Sequence, residues 1–137
     1  MTDDNDYRHR RHCVFAPHAH LVFVTKYRRK VFTANVLNDM RGLFAAVCAD
    51  FAAALVEMDG EDDHVHLLVN YPPKVPLLRL VNSLKGVSSR RLRQMHPALR
   101  RRNCKGVLWS PSYFAASCGG APISIIRQYI QQQRAPG

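Results

Sequence analysis

Two histidines separated by one apolar residue, His64-Val65-His66, are residues whose type and spacing can do chemistry. They sit in the run HVHLLV, which has strand character. Alternate residues of a strand point to one face, roughly 6.5 to 7 Å apart, so two imidazoles there can share one divalent cation. Spacing alone does not choose this pair, because His18-Ala19-His20 repeats it. The later pair has the cleaner context: Val65, Leu67 and Val69 form an apolar face, leaving His64, His66, Leu68 and Asn70 on the other. Near the C-terminus, Tyr129 and Gln133 are four residues apart and lie side by side on a helix. Tyr129 is a candidate nucleophile once a cation or base offsets a phenol pKa near 10, and Gln133 offers a carbonyl oxygen to a metal. Both motifs also have plain structural readings, as polar residues on a sheet surface and as a tyrosine packed between Ile126 and Ile130. No carboxylate stands out as a general base.

The elements that must position these groups read as β-α-β-β-α-β-α. Residues 18–27 alternate in strand fashion. Thr33 is a plausible N-cap for a helix whose apolar positions recur at Val36, Leu37, Met40, Leu43, Phe44, Val47, Phe51 and Leu55. A strand at 55–59, a turn at 60–63 and the histidine strand at 64–70 make a hairpin ended by Tyr71-Pro72-Pro73. Residues 76–95 have helical period again. His96-Pro97 ends that helix, residues 100–105 read as a basic loop, and residues 107–117 read as extended. Gly119-Gly120 breaks the chain before a last helix with Pro122 in its first turn. The order predicts an α+β, ferredoxin-like sandwich with helices on one sheet face and the other face free to act. One domain spans residues 1–137, with 1–13 expected to fray.

Charge narrows the partner. The chain of 137 residues carries 20 Lys and Arg against 10 Asp and Glu. Every acidic residue lies at or before Asp63, whereas residues 64–137 carry 12 basic residues and no acid. Such a field suits a polyanion, and without a lipidation signal or a membrane span nucleic acid is the better partner. The basic candidates are Lys85, Arg90, Arg91, Arg93, Arg100, Arg101, Arg102 and Lys105, with Trp109, Tyr113 and Phe114 near enough to stack on unpaired bases. Cys13, Cys48, Cys104 and Cys118 form no C-x-x-C pair and read as reduced, mostly buried thiols.

Five segments in order, HLVFVTKYRRKVF (20–32), DHVHLLV (63–69), LVNSLKGVSSRRLR (80–93), WSPSYFAAS (109–117) and GGAPISIIRQYIQQQ (119–133), resemble the single-tyrosine HUH transposases of the smallest bacterial insertion sequences. The family's His-hydrophobic-His motif matches His64, Val65 and His66. Its nucleophile matches Tyr129, in a mobile helix spanning 121–134, and its third metal ligand matches Gln133. The resemblance implies Mg²⁺ or Mn²⁺, a 5′-phosphotyrosine intermediate, and single-stranded DNA hairpins as substrate. It also implies a homodimer whose tyrosine helix completes the partner's site, and a bacterial cytoplasmic location, at the nucleoid when bound. A non-catalytic or domesticated single-strand-binding protein, or a relative that processes dispersed palindromic repeats, would carry the same charge pattern.

Overall fold

Strand β1 (His18–Val24) and strand β3 (His64–Asn70) form the centre of a four-stranded antiparallel sheet. A computed structural model describes residues 18–102 and 107–117, without the side chains of Arg101, Arg102 and Ser117. Tyr129, Gln133, Lys105, residues 1–13 and the helix expected at 121–134 therefore lie outside the described residues, as do Cys13, Cys104 and Cys118. Strand β2 (Ala54–Gly60) flanks β3 and strand β4 (Phe114–Ser117) flanks β1, giving the order β2-β3-β1-β4. That is the ferredoxin-like order expected from the chain of elements.

Helix α1 (Ala34–Asp50) starts where Thr33 caps it, its hydroxyl accepting from the Val36 N–H at 3.2 Å. The helical apolar pattern continues to Leu55, but the helix stops at Asp50. Ala52 turns left-handed (φ 57°), the Ala53 N–H bonds back to the Cys48 carbonyl, and the Ala52 N–H bonds to that of Ala49. These are the two bonds of a Schellman cap, built here on alanine instead of the usual glycine, and they release Leu55 into β2. Helix α2 (Leu77–Met95) buries Leu80, Val81, Leu84, Ser88 and Leu92. Pro97 then begins a further short helix, α3 (Pro97–Arg102), where a basic loop was expected. Proline suits a first helical position because its missing N–H would have had no partner there, and buried Leu99 anchors the turn. At the other end of β1 the strand stops at Val24 instead of Tyr27, and Lys26–Arg28 form a 3₁₀ turn.

The core lies between the helices and the face of the sheet that carries Ala19, Leu21, Phe23, Val65, Leu67 and Val69, all fully buried. Trp109 joins it, edge-on to Phe23 and Phe32. Its indole N–H donates to the Ser88 hydroxyl at 2.9 Å, while that hydroxyl donates to the Lys85 carbonyl. Cys48 is a buried free thiol whose pKa burial pushes up to about 11. Ser88→Ala should destabilise the protein by about 1–3 kcal/mol, because it leaves a buried indole N–H without an acceptor. Urea denaturation of the two proteins checks this, and an unchanged midpoint would contradict it.

Candidate functional site

The β1–β3 register decides which groups meet. Val22 stands opposite His66, His20 opposite Leu68 and Val24 opposite His64. Both H-x-H pairs therefore point to the same sheet face, away from the core, instead of competing for the role. The His64 and His66 rings lie 5.3 Å apart, and His20, diagonal to His66, stands 5.9 Å from it edge-on. This face was expected to be open, yet His20 and His64 are 3% and 2% exposed, and Val22, Leu68 and Asn70 are buried beside them. The histidines are recessed in a pocket of about 240 Å³.

His64 is oriented by its neighbour. Its Nδ1 lies 2.7 Å from a carboxylate oxygen of Asp63, whose other oxygen accepts from Arg28 Nε at 3.2 Å. Burial pushes the Asp63 pKa up, but hydrogen bonds and charge from His64 and Arg28 outweigh it and hold the carboxyl below its ordinary range. An ionised carboxylate can only accept, so Nδ1 carries a proton, and in the neutral imidazole the lone pair is then on Nε2. That Nε2 is buried with no hydrogen-bond partner among the described residues. A carboxylate-held imidazole with a free inner nitrogen is the form in which histidine ligates a metal. The donor set therefore fits a divalent cation. Among the described residues no group of three or more His, Cys, Asp or Glu is arranged to hold a metal.

Three carboxylates that sequence reading did not assign also line the pocket: Glu57, Asp59 and Glu61. A bulge brings the first two there. Leu55 pairs with Val69 but Glu57 pairs with Leu68, so Val56 is an extra residue in β2. Were Val56 paired in turn with Leu68, Glu57 would meet Leu67 and face the core; because Val56 is bulged out, Glu57 and Asp59 face the histidines, Asp59 directly opposite His66. Alternation could have flagged this strand only if the bulge had been visible, and no glycine or proline marks it. Asp63 was legible as a residue adjoining the motif, but its bond to His64 is a matter of geometry.

The basic candidates separate into two groups. Arg90, Arg91 and Arg100 are exposed. Arg93 is half-buried and donates to the Ser89 carbonyl. Lys85 is also half-buried, donates to the Ser110 carbonyl at 2.7 Å, and lies over the Tyr113 and Phe23 rings; burial lowers its pKa. Arg101 and Arg102 belong to α3, and their side chains are outside the description. Of the aromatics expected to meet bases, Trp109 is in the core, Tyr113 packs on Phe23, and Phe114 packs on Val22 and Leu68.

Paired histidines on a central strand of a ferredoxin-like sheet, facing a recessed pocket, are the arrangement expected of a tyrosine transposase. The chain matches the family Transposase IS200 like over residues 13–133 and belongs to it. It is 31% identical over 114 residues to the ISDra2 transposase TnpA of Deinococcus radiodurans, covering 83% of this chain and 81% of that protein. To the transposase for insertion sequence element IS200 of Salmonella typhimurium it is 27% identical over 134 residues, covering 97% and 85%. A candidate transposase of D. radiodurans with a crystal structure superposes with a TM-score of 0.71 at 31% identity, covering 90% of this chain and 95% of that one. A REP-associated tyrosine transposase solved bound to a REP hairpin shares the fold, with a TM-score of 0.59 at 11% identity over 85% of this chain and 64% of that one.

Because the Asp63 carboxyl titrates lower in the folded protein, its contribution to stability is present at neutral pH and is lost as pH falls through that lowered value. The denaturation midpoints of wild type and Asp63→Asn should therefore converge on acidification. A gap independent of pH would show that the carboxylate's charge is not what stabilises the site.

Proposed function

We propose that this transposase cleaves and rejoins single-stranded DNA at hairpin-bearing ends of a mobile element, with Tyr129 as nucleophile and a divalent cation as cofactor. The observation that carries the reading is His64: a buried imidazole whose outer nitrogen is held by Asp63 and whose inner nitrogen is left without a hydrogen-bond partner beside His66. Mg²⁺ or Mn²⁺ held by His64, His66 and Gln133 would supply positive charge to the scissile phosphate.

The other roles belong to the chain itself. The Tyr129 phenolate oxygen bonds to phosphorus while the 3′ oxygen leaves with the electron pair of the broken P–O bond and takes up a proton. The products are a 5′-phosphotyrosine and a free 3′-OH. The phosphodiester energy is kept, so a second 3′-OH can reverse the step onto new DNA without ATP. Asp63 and Arg28 keep the His64 ring in place through the cycle. Glu57, Asp59 and Glu61 line the same pocket as the histidines, and a divalent cation there would ease the approach of a phosphate to them.

Exposed Arg90, Arg91 and Arg100 suit the phosphates of a folded strand, and Arg101, Arg102 and Lys105 continue that basic run. The REP-associated relative was solved on a hairpin, and we carry that ligand class to this chain. A homodimer whose tyrosine helix, 121–134, completes the partner's site follows from the family resemblance. No described helix is long and apolar enough to cross a membrane, and the reaction belongs with DNA in the bacterial cytoplasm.

Labelled single-stranded hairpin DNA from the flanks of the gene, incubated with protein and Mg²⁺ or Mn²⁺, should give a covalent adduct on a denaturing gel. The adduct should be absent with Tyr129→Phe, with chelator and with duplex DNA. Non-covalent binding alone would return the protein to the class of single-strand binders. Affinity for the same hairpin should fall by about 0.7 log unit per log unit of salt for each phosphate contacted. Charge removal at Arg90 or Arg91 should reduce that slope, and an unchanged slope would dissociate α2 from the DNA.

A further inference from the structure

Strand β1 ends in an unusual turn. Tyr27 (φ 62°, ψ 20°) and Arg28 (φ 54°) are two successive residues in the left-handed region, which glycine adopts freely and residues with a Cβ do not. The turn is held from several sides. The Thr25 N–H donates to the Asp63 carbonyl and the Lys26 N–H to that of Leu108, both at 2.9 Å. The Arg28 N–H donates to the Thr25 carbonyl at 3.0 Å, and the Thr25 hydroxyl to the Arg29 carbonyl at 2.8 Å. Strain maintained by so many bonds calls for something that the conformation achieves.

Packing of the tyrosine ring is not that achievement. Tyr27 is 70% exposed, the one aromatic ring classed as exposed among the described residues. The turn instead holds the ring outward near two cations, with Lys26 Nζ 5.4 Å and the Arg29 guanidinium carbon 5.7 Å from its centroid. An exposed aromatic face flanked by positive charge is how proteins take an unpaired base: the ring stacks on it and the cations meet the neighbouring phosphates. The location is apt. Val24, three residues earlier, pairs with His64, and Arg28, the next residue, binds the Asp63 carboxylate that orients His64.

We propose that Tyr27, with Lys26 and Arg29, is a stacking platform for an unpaired base of the single-stranded DNA substrate, presented by the strained turn at the His64 end of β1. The proposal rests on the transposase reading above and extends it to a contact outside the histidine pocket. Bases of a duplex are already stacked, so the platform favours single strands.

The test uses the full chain and a single-stranded oligodeoxynucleotide from the element's flank carrying one 2-aminopurine, whose fluorescence is quenched on stacking. Wild type should quench it, and Tyr27→Phe should bind and quench alike. Tyr27→Ala should bind about tenfold more weakly or worse and lose the quenching. Tyr27→Asn tolerates the left-handed region, so it should raise the melting temperature while weakening binding as Tyr27→Ala does. Equal binding and quenching by Tyr27→Ala would overturn the proposal. A lowered melting temperature in Tyr27→Asn would do so too, since it would make the ring a structural one. If wild type forms the Tyr129 adduct and Tyr27→Ala still binds normally, only the platform falls. If wild type neither binds single strands nor forms the adduct, the transposase reading fails and takes the platform with it.

Discussion

Antiparallel pairing of β3 with β1 decides which way every chemical group of this protein faces. Val65, Leu67 and Val69 meet Phe23, Leu21 and Ala19 in a fully buried layer, and because side chains alternate with period two, His64 and His66 have no choice but the opposite face. A slip of one residue would exchange aliphatic groups for imidazoles in the core. That exchange would strand polar nitrogens among apolar side chains at a cost of about 1–3 kcal/mol for each unpaired group. Packing on the helical side thus secures geometry on the other. The bond from His64 to Asp63 then adds what packing cannot supply, a defined tautomer with its lone pair facing inward.

Charge is partitioned with the same economy of means. Acidic side chains gather around the histidines, at Glu57, Asp59, Glu61 and Asp63, while exposed arginines stand on α2 and α3. The DNA proposed as substrate would thus meet positive charge on the helices and carboxylates around the pocket. The long-range attraction and the local chemistry proposed above therefore draw on side chains of opposite sign. Lys85 belongs to neither set, since it fastens the segment at Ser110 and Pro111 to α2.

Much of the fold was legible because the sequence follows local rules: strand alternation at 64–70, a threonine cap at 33, and helical period through α2. The misses each have a physical cause. A Schellman cap built on Ala52 carries no glycine to announce the end of α1, so the periodic pattern runs past it. Pro97 reads equally as a stop and as a start, and here it starts α3. For the site, His64 and His66 could be read from spacing and from the family resemblance. That His20 joins them, and that Asp63 and Arg28 hold them, depends on register and on side-chain distances between residues up to 46 apart, which no local pattern encodes. Trp109 had the composition of a base-stacking residue, but its indole is tied to Ser88 inside the core.

The extra residue in β2 divides that strand into two stretches of opposite parity. Before Val56 the odd-numbered Leu55 faces the core; after it the even-numbered Met58 and Gly60 do. Val56 itself is 42% exposed, so many side chains fit there at little cost. Loss of its codon would turn no side chain round either, since Leu55 would still meet Val69, Glu57 would still meet Leu68, and only the bulge would go. The position is permissive to spelling and to omission alike, so a lineage of such proteins can vary what it writes at this point, or write nothing, while every pair on either side stays as it is.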